Sequence, residues 1–114
     1  MSGHYRSEEE IEQVVRGFET CSTPAGDFHH RDHLTVAVWY LQTVSRVEAV
    51  ERMRVALLRF LDHYGVDPAK YSEEITVFWL DAVATHLEGI KTDASLADKC
   101  NEVVESLQFV SAKR

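Results

Sequence analysis

Proline occurs twice and glycine five times in 114 residues, so little in this chain interrupts a helix. Cysteine is equally sparse. Cys21 and Cys100 stand far apart with no CxxC spacing, which excludes a disulfide framework and a cysteine metal pair and leaves reduced packing or surface thiols. No apolar run approaches the roughly 18 residues that span a bilayer, and the opening MSGHYRSEEE lacks the apolar segment of a secretory signal, so the expectation is a cytoplasmic protein without a membrane partner. Basic residues are outnumbered by acidic ones, 12 to 19, and form no block. The resulting charge of −7 repels polyanions and argues against nucleic acid as a partner and against anionic membrane surfaces. Internal repeats, low-complexity tracts, glycine-rich phosphate loops and nucleophile elbows are all missing, and with them most enzyme classes that announce themselves in sequence.

What is present is helical periodicity. The length suits one core, and 45% of residues are hydrophobic. Ser7 and Glu10 have capping-box spacing ahead of Ile11, Val14, Val15 and Phe18, predicting a helix over about 8–20 that ends at Thr23-Pro24-Ala25-Gly26. A second helix starts near 29–32 and carries Leu34, Ala37, Val38, Leu41 and Val44. Ser45 and Glu48 open a third, whose stripe from Ala49 to Tyr64 closes at Gly65. Ser72 caps a fourth, which runs through Ile75, Phe78, Leu80, Val83 and Leu87 to Gly89. A fifth begins at 93–95 and continues through Leu96, Val103, Val104 and Leu107 to Phe109, with a thinner apolar face that packs on one side of the bundle. The fold class is therefore all-α, a single compact antiparallel helical bundle of four to five helices forming one domain over residues 1–114.

Certain polar residues fall where the core should be. At about 100° per residue, Arg31, Thr35, Gln42 and Arg46 share a polar side of the second helix, with Asp32 at its edge. His30 and His33 land instead on the apolar side, one turn apart, where both imidazoles can converge. On the fourth helix Glu74, Asp81, Thr85 and Glu88 are polar-facing, whereas Glu73 and Thr76 join the apolar side. A buried Glu73 needs a cation, metal or donor to offset several kcal/mol of desolvation. His30 and His33 are the candidates by type. Two histidines and a carboxylate from facing helices match how bundles hold a divalent metal ion, the candidate cofactor, or a small polar ligand. In that arrangement His30, His33 and Glu73 are the metal ligands. Thr76 or Tyr71 would steady them by a hydrogen bond, and Asp32 would tie down the helix start.

Two other readings stand beside that one. The same groups could form a satisfied buried network that fixes how two helices meet, or an acid/base pair for catalysis. His63 and His86 sit on stripe flanks, as packing or surface residues. Trp39, Phe78 and Trp79 read as core or rim aromatics ahead of a ligand-stacking box, and Trp39 or Trp79 could anchor a homo-oligomer.

The blocks FHHRDHLTVAVWYL (28–41) and KYSEEITVFWL (70–80) resemble a family of short, uncharacterised bacterial all-helical proteins over roughly residues 28–82. That family pairs a histidine-rich helix start with a later Tyr-His-Glu-Thr-type start. The resemblance implies that His30, Asp32, His33, Tyr71, Glu73 and Thr76 belong to its pattern. Ser72 replaces the family's histidine and Glu74 its usual threonine, so a role for that histidine does not carry over.

Overall fold

The computed structural model describes residues 5–107, and among them there are five α-helices and no strand. Phe109, expected at the end of the fifth helix, lies outside the described residues. The helices are α1 (Glu8–Glu19), α2 (His30–Thr43), α3 (Arg46–His63), α4 (Glu73–Glu88) and α5 (Leu96–Leu107). Single 3-10 turns at Ala25–Asp27 and Pro68–Lys70 precede α2 and α4. No described helix is long and apolar enough to cross a membrane.

The expected serine caps are in place. Ser7 accepts from Glu10 N, Ser45 from Glu48 N and Ser72 from Ile75 N, each satisfying one of the orphan amides of a helix start. The Glu10 carboxylate reaches past the cap and accepts from Arg6 N at 2.6 Å. Three glutamates in the first turn of α1 also face the positive end of its dipole.

The centre of the bundle is α2, which packs on each of the other four helices. Val36 and Val38 are fully buried, and so is Thr35, although periodicity places Thr35 on a polar side. The correction has a local cause. A threonine can sit against α5 because its hydroxyl donates to Arg31 O at 2.9 Å and meets Tyr5 Oη at 2.9 Å, while Cys100 Sγ lies 3.6 Å away. Desolvation there pushes the Cys100 thiol up to about 11, so the group packs without ionising. Cys21 is also a buried free thiol.

The turn after α1 is a second tight junction. Cys21 takes a positive φ of 58°, and Tyr64 at the end of α3 donates to both Cys21 O (3.0 Å) and Thr23 O (2.6 Å). The chain folds back so that Ser22 N and Thr23 N both bond Gly17 O. A Cβ on Gly17 would sit 2.3 Å from Thr23 Oγ1. Gly17→Ala is therefore expected to lower stability by about 1 kcal/mol despite alanine's better helix propensity. Chemical denaturation should show the loss reversed in the double variant with Thr23→Ala, which removes the clashing hydroxyl. A stabilised single variant would show that the turn yields freely.

Candidate functional site

The first turn of α2 begins two residues beyond the Ala25–Asp27 turn, and Asp32 locks it by accepting from His29 N at 2.9 Å. With the helix start held, His30 and His33 project one turn apart into a cavity of about 330 Å³ between α2, α3, the Lys70–Ser72 segment and α4. Its apolar wall comes from Leu34 on α2, Met53, Leu57 and Leu61 on α3, and Ile75 and Trp79 on α4. Its polar lining is His30, His33, Lys70, Tyr71, Ser72 and Thr76.

The two histidines differ in environment. His33 lies edge-on to Phe28, with ring centroids 4.6 Å apart, and 6.4 Å from Phe18. Phe18 in turn stacks on Phe28 at 4.6 Å, and Phe60 closes the cluster. Burial in this aromatic setting, with the neighbouring His30 as a lesser cause, pushes the His33 pKa down to about 4. At neutral pH His33 is an uncharged imidazole with one donor and one acceptor nitrogen. His30 stands edge-on to Trp79 at 4.5 Å, and its Nε2 is buried with no hydrogen-bond partner. A buried nitrogen left unpaired costs about 1–3 kcal/mol, which native folds rarely tolerate without a reason.

Thr76 is buried, as periodicity predicts; its hydroxyl donates to Ser72 O at 2.9 Å and also meets the Tyr71 side chain. Glu73 departs from expectation. It is exposed, does not line the cavity, and accepts from Tyr71 Oη at 2.7 Å. As the first residue of α4, Glu73 precedes the part of the helix that others cover. The carboxylate therefore stays in water, near the positive end of the helix dipole, and needs no buried cation. Tyr71 lines the cavity while its hydroxyl proton is committed to Glu73; burial first, and then Glu73, hold its pKa above the usual phenol range. Asp32 acts on the helix start and does not line the cavity.

The structure thus unites His30, His33, Tyr71 and Thr76 and leaves Glu73 and Asp32 outside. Among the described residues no group of three or more His, Cys, Asp or Glu side chains is placed to hold a metal ion. Two imidazoles alone fall short of the three protein ligands usual in an open metal site. The expected His30, His33 and Glu73 ligand set is not assembled.

Lys70, Ser72 and the α3 wall escaped sequence reasoning. Ser72 was legible as a cap, but nothing in the α3 stripe distinguishes Met53, Leu57 and Leu61 from ordinary core. Lys70 sits in a 3-10 turn with no periodicity to orient it. Comparisons with known protein families, known proteins and solved structures find no match for this chain.

Proposed function

We propose that this protein binds a small organic molecule in the cavity between α2, α3 and α4, with His30 as the group that orients it. The observation that carries this reading is a cavity of about 330 Å³ whose lining includes His30, a residue with its Nε2 buried and without a hydrogen-bond partner. That volume is at the lower end for small-molecule sites, and the lining has their character of an apolar majority with a few convergent polar groups. It would hold a ligand of about ten to fifteen non-hydrogen atoms. A self-satisfied structural network accounts less well for the same residues, because Glu73 turns outward and His30 Nε2 gains nothing from it.

His30→Phe separates binding from packing. Phenylalanine keeps an edge contact with Trp79 and removes the unsatisfied nitrogen. The variant should be more stable than the wild type by about 1 kcal/mol in urea denaturation. It should also lose at least about tenfold in affinity for the fragments that the wild type binds. Those fragments come from a panel of small aromatic acids, amides and amines followed by amide NMR, with shifts gathered on His30, His33, Thr76 and Trp79. A destabilised His30→Phe together with a blank panel would sink the proposal.

A further inference from the structure

The chain carries a net charge of −7, yet no aspartate or glutamate lines this cavity. Its one formal charge is Lys70. The acidic groups nearest in sequence stay outside it: the Asp32 carboxylate accepts from His29 N, and Glu73 and Glu74 are exposed, with Glu73 held by Tyr71. Excluding carboxylates from a concave site in an acidic protein leaves a local field that favours an anion. The polar groups are also unevenly placed. The α3 wall offers only Met53, Leu57 and Leu61, whereas Lys70, Ser72 and the histidines belong to the segments that face it. A molecule seated there meets only hydrocarbon along α3 and finds its polar partners on the facing side, interleaved with Leu34, Ile75 and Trp79.

Building on the cavity-binding reading above, we infer that the ligand is a small amphiphilic monocarboxylate, its apolar body against Met53, Leu57 and Leu61 and its carboxylate between His30 and Lys70. The chemistry matches on each side. A carboxylate is an acceptor only, and it can take a proton-bearing imidazole nitrogen and an ammonium at once. The donation satisfies the nitrogen that is otherwise unpaired. A neutral amide would satisfy His30 equally but gain nothing from Lys70, and an ammonium would be repelled by it. Because Lys70 is exposed, its contribution to affinity is moderate.

Three probes of nearly equal shape test this: phenylacetate, phenylacetamide and 2-phenylethylamine, titrated into the full chain by calorimetry with amide NMR to locate binding. Phenylacetate should bind about tenfold more tightly than the amide, with the amine weakest. In Lys70→Gln the acid should lose affinity until it comes within about twofold of the amide. Amide or amine binding as tight as the acid would overturn the carboxylate assignment and leave a cavity that takes neutral ligands. A preference for the acid that survives Lys70→Gln would also overturn it as drawn. No shift at His30, His33 or Trp79 with any probe would remove both this inference and the reading on which it rests.

Discussion

Phe18→Ala should lower the stability of this protein by about 3–5 kcal/mol, the largest single-residue effect expected here. Phe18 is fully buried, stacks on Phe28 at 4.6 Å and meets Phe60 at 5.4 Å, so its ring joins α1 to α3 and to the segment that leads into α2. Its removal leaves a cavity that the surrounding helices cannot close, and the lost contacts add to the lost transfer energy. With a total stability of about 5–15 kcal/mol for a domain of this kind, the variant would lie near its unfolding threshold. The second consequence is local. Phe18 is part of the aromatic wall around His33, and additional water admitted there should let the His33 pKa rise from about 4 toward its ordinary 6.5. Denaturant unfolding measures the first effect and a histidine NMR titration the second. A loss under about 1 kcal/mol would mean that the ring cluster does not hold these helices together.

Acidification should expose the cost of keeping His33 neutral. In the unfolded chain its imidazole takes up a proton near pH 6.5, and in the folded protein only near pH 4. Between those values the unfolded state binds more protons, so stability rises with pH across that window. The contribution is intact above about 6.5 and is lost as the pH falls toward 4. Its full size is roughly 3 kcal/mol. His33→Gln keeps a polar side chain of similar size and removes the titration. Its stability should therefore fall less steeply than the wild type's between pH 7 and 4, by about that amount. The difference between the two curves is the quantity to measure, because the carboxylates common to both proteins cancel. Parallel curves would show that His33 is not held neutral by burial.

The helices were legible because each is written locally. Ser7, Ser45 and Ser72 sit where a side-chain oxygen can satisfy amides that any helix start leaves bare, and the apolar stripes that follow have a period set by helix geometry. His30, His33 and Thr76 were legible for the same reason, as polar residues in register with those stripes. Periodicity assigns a direction around a helix axis, however, and says nothing of what stands there. Thr35 shares a direction with Arg31 and Gln42, yet α5 covers it and Tyr5 and Cys100 meet its hydroxyl. Glu73 shares a direction with Thr76, yet it lies at the very start of α4, is exposed, and bonds Tyr71.

By itself the sequence determined an all-α chain, its five helices to within a residue or two at most of the described ends, and a pair of histidines turned toward the core. Those features depend on neighbours three or four residues apart. Only the tertiary structure decided what the histidines face: a cavity walled by Met53, Leu57 and Leu61 with Lys70 in its lining, and no carboxylate among them. That outcome depends on which helix lies opposite and how far each face is covered. Both are set by packing between residues distant in the chain, for which local spacing carries no signal.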